Sequence, residues 1–177
     1  MTNRESLIAL VRPPSSPKDN VGTWDDVEAL LATPLPSDYR WLVETFGSGM
    51  FGTHLRIFNP FSSNPCSQLG RHVVRCCGIL ADLQGRDLGV LYGATSSFGR
   101  GRLLPCGEAA DGDMLFWITL GDPEKWSMTV LRAPFVDEDR SRANFDEYPV
   151  SLVQFLVSAC REGAGLPALR GAVFFPD

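Results

Sequence analysis

Histidine is scarce in this chain: His54 and His72 are the only two. Nucleophilic catalysis needs a base within reach of a serine or cysteine, and neither histidine stands in a pattern that supplies one. There is no C-x-x-C, no H-x-x-x-H and no other zinc-ligand spacing, so neither a metal nor a cofactor is expected. No run approaches the roughly 18 apolar residues of a membrane helix. The opening MTNRESLIALVRPP has an apolar stretch too short for a signal peptide and no small-residue cleavage site, so a cytoplasmic protein without a membrane partner is expected. Basic residues are outnumbered, 16 Lys and Arg against 21 Asp and Glu, for a net charge of -5. That balance argues against nucleic acid, since phosphate binding needs clustered cations. The five cysteines form no regular framework and two are adjacent (Cys76 and Cys77), which reads as reduced thiols.

What is present suits one packed domain. The 177 residues are 44% hydrophobic and 21% charged, ordinary values for a globular chain long enough to bury a core. Residues 1–12 suit a short helix, and 13–22 read as a connector. Thr23 is the expected N-cap of a helix carrying Trp24, Val27, Leu30 and Leu31, ended by Thr33-Pro34. Ser37 is the expected cap of the next, with Asp38 in its first turn. Tyr39, Leu42, Val43 and Phe46 form its apolar stripe, and Gly47 stops it. A short strand at 55–58 precedes a long helix from Ser67 to about Gln84. A strand is expected at 88–92, a hairpin at 103–119 around Asp111-Gly112-Asp113, a strand at 126–132 and a buried helix at 149–161. Strands grouped together rather than alternating with helices favour α+β.

Gly47-Ser48-Gly49-Met50-Phe51-Gly52 is a literal G-x-G-x-x-G. A dinucleotide loop follows a strand and opens a helix. Here the order is reversed, so a helix stop and turn are expected. Arg100-Gly101-Arg102, with Arg86, reads as a solvated loop or an anion contact. Acidic residues gather in the connections: Asp111 and Asp113, then Asp122 and Glu124, then Asp137, Glu138 and Asp139. They are turn formers in their own right, and together they offer an electronegative face to a basic partner.

Trp24 on a first helix, Leu35-Pro36-Ser37-Asp38-Tyr39 opening a second and Phe46-Gly47-Ser48-Gly49-Met50-Phe51-Gly52 after it resemble the start of the SUKH superfamily. That superfamily includes the Smi/Knr cell-wall regulators and many bacterial immunity proteins. Leu104-Pro105-Cys106-Gly107, Asp111-Gly112-Asp113, Leu115-Phe116-Trp117 and Gly121-Asp122-Pro123 are similar to its central hairpin, and Phe155-Leu156 to its last helix. The resemblance spans about residues 23–160. It implies an α+β domain with N-terminal helices, a central antiparallel sheet and a closing C-terminal helix over 23–163. Residues 1–22 are then an extension and linker, and 164–177 a tail. It further implies a non-catalytic protein that binds and neutralises a toxin domain, or a regulator or scaffold of the same fold. The contact residues expected on that reading are Asp111, Asp113, Asp122, Glu124 and Trp126, with Trp117 divided between core and interface. A small-ligand pocket or enzyme site near Gly47–Gly52, His54 and Arg100–Arg102 is the remaining alternative.

Overall fold

The structure, a computed structural model, describes residues 1–83, 103–136 and 143–177. The strand expected at 88–92, the end of the long helix at Gln84, Arg86, Arg100–Arg102 and the acids Asp137, Glu138 and Asp139 lie outside the described residues. In chain order the elements are α1 (Asn3–Leu10), α2 (Trp24–Leu31), α3 (Ser37–Phe46), β1 (Gly49–Phe51), β2 (Leu55–Ile57), α4 (Leu69–Leu83), β3 (Leu103–Ala109) and β4 (Met114–Ile118). They continue with β5 (Ser127–Val136), β6 (Ala143–Tyr148), α5 (Leu152–Glu162) and β7 (Phe174–Pro176). The described strands form one sheet in the order β6-β5-β4-β3-β2-β1-β7, and every pairing is antiparallel. The fold is α+β.

All five residues of β4 are buried. Side chains alternate across a strand, so both faces of the sheet must be covered there. Leu115 and Trp117 join Tyr39, Leu42, Met128, Val130, Leu152, Phe155 and Leu156 in the larger core. Met114 and Phe116 point the other way and meet Cys76 and Leu83 of α4, with Leu131 of β5. The C-terminal half of α4 therefore covers the face opposite α3 and α5.

The Gly-rich run ends α3 and opens a strand. Gly47 is the C-cap, its N–H donating to Val43 O at 2.8 Å. Its φ of 70° lies in glycine's territory, and a Cβ there would meet Lys18 O at 2.1 Å. Met50 and Phe51 then pair with β2 and Gly49 with β7, so a three-residue strand occupies what the sequence reads as a turn.

Of the two expected caps, Thr23 is the N-cap of α2, though its side chain makes no cap bond, and the other is corrected. Pro36, not Ser37, is the N-cap of α3. Proline has no side-chain acceptor, so the first turn of α3 takes its partner from elsewhere in the chain, as described below.

Both segments set outside the domain are packed into it. Leu7 and Val11 are fully buried and belong to the main core, and α1 packs on α5. Lys18 bridges Gly47. At the other end, β7 adds to the edge of β1. Phe174 packs on Phe46 and Phe51, and the Asp177 carboxylate takes hydrogen bonds from Arg56, Asn64 and Ser67.

Candidate functional site

Two acidic turns carry the residues singled out by the sequence, and the structure treats them differently. The first closes the β3–β4 hairpin. Gly112, at φ 95°, makes the reversal. Asp111 Oδ1 accepts from Asp113 N–H at 3.3 Å, an Asx turn. Asp113 is buried, and its carboxylate accepts from Arg132 at 2.5 Å and from Ala133 N–H at 2.9 Å. Arg132 is further held by Asp146 at 2.7 Å and by Tyr148 Oη at 2.9 Å. Burial alone would lower the Arg132 pKa, but the hydrogen bonds to Asp113 and Asp146 outweigh it and hold it above the ordinary value. Asp113 is thus an internal ion-pair partner, which corrects its placement at a contact surface. Asp111 stays exposed, 3.5 Å from His54 Nε2.

The second turn follows β4. Asp122 is exposed, and its Oδ1 accepts from Glu124 N–H at 3.1 Å, capping a single 3-10 turn over Pro123–Lys125. Glu124, also exposed, reaches the start of α3. Its two carboxylate oxygens accept from Ser37 N–H and Ser37 Oγ–H, both at 2.7 Å. That contact supplies the cap Pro36 cannot, and it ties the turn to the helix.

A cleft of about 110 Å³ opens where these elements meet. Pro36 and Asp38 enter it from the start of α3, Trp117 from β4, Pro123, Glu124 and Trp126 from the turn, and Ser151 and Leu152 from the start of α5. Trp117 and Trp126 are 1% and 4% exposed, with ring centroids 6.2 Å apart. Trp126, expected as a contact residue, is a buried wall of the cleft, and Trp117 is core.

The chemistry of this cleft is unusual within the molecule. Among the described residues three buried side-chain polar atoms have no hydrogen-bond partner: Asp38 Oδ1, Trp117 Nε1 and Trp126 Nε1. All three belong to residues of this one cleft. The other Asp38 oxygen, Oδ2, accepts from Val153 N–H at 3.2 Å in the first turn of α5. A buried donor or acceptor left unpaired costs about 1–3 kcal/mol, and native cores hold few of them. All three atoms are shut off from solvent, so they lie behind the cleft's surface rather than on it.

The remaining candidates are structural. His72 stacks on Phe58 at 3.7 Å, Nε2–H donates to Cys66 O at 3.0 Å, and Nδ1 accepts from Arg75 at 3.4 Å. Burial pushes its pKa down, so it sits as a neutral ring. All five cysteines are free thiols. Burial raises the Cys76 thiol to about 12 and the Cys160 thiol to about 11, which leaves them protonated and inert. The space beside Gly47, Gly49 and Phe51 is about 10 Å³, enough for one water at most. Among the described residues that space is too small for a ligand, and Arg100–Arg102 lie outside them. Among the described residues no group of three or more His, Cys, Asp or Glu is gathered for a metal, and no helix is long and apolar enough to cross a membrane.

The sequence named Glu124 and Trp126, which line the cleft, but placed Asp38 only in the first turn of α3 and not in a site. Pro36, Ser151 and Leu152 carried no signal either, because only the tertiary fold brings them to the turn. Comparison with protein families, characterised proteins and solved structures gave no match to this chain.

Proposed function

We propose that this chain is a binding protein of the immunity type, which occupies a toxin domain in the cytoplasm, blocks it and performs no catalysis itself. The observation that carries this reading is the cleft, walled by Trp117 and Trp126 and edged by exposed Glu124, with exposed Asp122 beside it in the same turn. A concave site with aromatic walls and a few polar groups is where a partner's side chain is typically held. An acidic rim steers a basic partner and sets its orientation more than its raw affinity. The resemblance of residues 23–160 to the SUKH superfamily supports the same class of function.

The contact surface on this reading is the Asp122–Trp126 turn with the starts of α3 and α5, and Asp111 lies at a separate turn. The test is capture of a partner by the tagged chain from its host, followed by a toxin-activity assay with purified protein. Stoichiometric loss of the partner's activity, relieved by Asp122→Lys, is the expected result. A captured partner whose activity is untouched would replace the immunity reading with a regulator of the same fold. Capture that is insensitive to Asp122→Lys would move the surface elsewhere.

A further inference from the structure

Residues 173–177 meet the rest of the chain as a docked peptide would. Phe174, Phe175 and Pro176 pair antiparallel with Phe51, Met50 and Gly49. Gly52 N–H donates to Val173 O at 2.6 Å, and Asp177 N–H donates to Ser48 O at 3.0 Å. This is strand addition at a sheet edge, where the backbone supplies affinity and alternate side chains supply specificity. Two side chains face the site. The Phe174 ring packs on Phe46 and Phe51, with centroids 5.2 and 5.1 Å away. Three residues on, the Asp177 carboxylate accepts from Arg56 at 2.7 Å, Asn64 Nδ2–H at 2.8 Å and Ser67 Oγ–H at 2.5 Å. Lys18 Nζ donates to Asp177 O. Val173 and Phe175 alternate with these two and stay exposed.

The receiving edge is shaped for such a segment. Gly49 lies outside the positive-φ region, so its backbone does not call for glycine. A Cβ there would instead meet Phe175 O at 2.4 Å and the Phe174 ring at 2.5 Å. The chain carries a net charge of -5, yet Arg56 and Lys18 meet at the end of this groove and suit it to an anion. The attachment is slight. Ala172 belongs to the main core, whereas Phe174 is only partly buried against it. A five-residue segment held along one edge is the kind of unit that opens without global unfolding.

We infer that the β1 edge is a docking groove for an extended partner segment bearing an aromatic residue and, three residues on, a carboxylate, and that residues 173–177 hold it closed in cis. A tethered segment competes at an effective concentration of about millimolar, so the groove is gated rather than open. A second copy of the chain offers the same segment that each copy already holds, and exchange would add association cost without a new contact. A partner segment with a better fit is not limited in that way. The groove lies at the end of α3 and the cleft at its start, so this inference is independent of the cleft, and its failure would leave the proposed function intact.

The probe is the labelled hexapeptide AVFFPD, the sequence of residues 172–177, titrated against the full chain by fluorescence anisotropy. Phe174→Ala/Asp177→Asn weakens the resident segment and leaves the groove intact, so it should bind the peptide about tenfold more tightly than the wild type. AVAFPD and AVFFPN should each bind that variant about tenfold more weakly than AVFFPD, through loss of the ring or of the charge. Adding Gly49→Ala should abolish binding, because its Cβ takes the place of the segment. Equal affinity of variant and wild type, or of the three peptides, would overturn the inference. The unaltered chain gives an independent check. The Gly52 and Asp177 amides bond across the groove and should exchange with deuterium about a hundredfold faster than those of α5. Exchange at the rate of α5 would show that the segment stays in place, and would overturn the inference whatever the variants do. Concentration-dependent dimerisation of the wild type, lost in Phe174→Ala/Asp177→Asn, would overturn the partner and give the groove to a second copy.

Discussion

The two acidic turns are nearly alike in composition, yet one is turned inward and the other outward. At Asp111-Gly112-Asp113 the neighbouring strand β5 brings Arg132 and the Ala133 N–H beside the turn, and Asp113 disappears into an ion pair. At Asp122-Pro123-Glu124 the neighbour is the start of a helix whose N-cap is a proline. Glu124 bonds to Ser37 while remaining exposed, and a cleft lies beside it. Composition marks both as acidic. What separates them is burial: the first carboxylate meets an arginine inside, while the second caps a helix at the surface.

The strongest way to test the inward turn is Arg132→Met. Removing one member of a buried pair strands the other, at about 3–5 kcal/mol. The partial exposure of Arg132, 20% of its side chain against 9% for Asp113, places the expected loss near the lower end. Urea denaturation of the variant should show it. The double variant Asp113→Leu/Arg132→Met should recover part of the loss, because no uncompensated charge remains. A loss below about 1 kcal/mol in the single variant would class this pair with ordinary surface pairs and erase the contrast between the turns.

The same distinction can be read by pH at a third carboxylate. Burial alone would raise the Asp177 pKa, but hydrogen bonds from Ser67, Arg56 and Asn64 outweigh it and hold it below its usual 3.8. A depressed folded pKa means the unfolded chain binds the proton more readily. The contribution is therefore complete above the unfolded value and is lost as pH falls through the folded one, a window that opens below about pH 4. Denaturation midpoints taken from about pH 6 down to pH 2.5 should fall on this limb. Arg56→Met should flatten it, and an unchanged acid limb would remove Asp177 from the internally partnered group.

At the outward turn the effects on stability are smaller. Glu124→Ala should cost about 1 kcal/mol, the usual cost of losing a helix cap, because the Ser37 N–H loses its acceptor. Thermal unfolding would measure it. A larger loss would mean that the turn serves mainly to hold α3, with less left for recognition.

Much of the fold was readable from the sequence and little of the site was. The stripe Tyr39, Leu42, Val43, Phe46 and the apolar face of Leu152–Glu162 follow the helical period, so α3 and α5 lie where it predicts. The β3–β4 hairpin followed from the Asp-Gly turn between two apolar runs. Three strands were missed for separate reasons. Gly49–Phe51 is hidden in a glycine run, Ala143–Tyr148 is an edge strand rich in charge, and Phe174–Pro176 is held by pairing and by Asp177 rather than by any pattern of its own. The cleft draws on residues 36–38, 117, 123–126 and 151–152. Their meeting depends on how α3 and α5 lie across the sheet, and local periodicity carries no record of that. Asp38 shows the limit most plainly, since the sequence places it in the first turn of α3 but not against the first turn of α5.

The smallest expected effect is at Asp111, and it separates the turns most finely. Asp111→Asn keeps the Oδ1 that accepts from Asp113 N–H and alters only the oxygen 3.5 Å from His54. That distance is at the outer edge of a useful hydrogen bond, and the residue is exposed, so stability should change by no more than about 0.5 kcal/mol. Binding should respond as weakly if the partner docks at the second turn. A distant charge influences the rate of encounter and its salt dependence rather than the lifetime of the complex. Asp122→Lys should instead shorten that lifetime, because it places a cation in the turn whose Pro123 and Glu124 line the cleft. Surface plasmon resonance on the captured partner would separate the two rates. A dissociation rate that rises for Asp111→Asn and not for Asp122→Lys would exchange the roles assigned to the two turns.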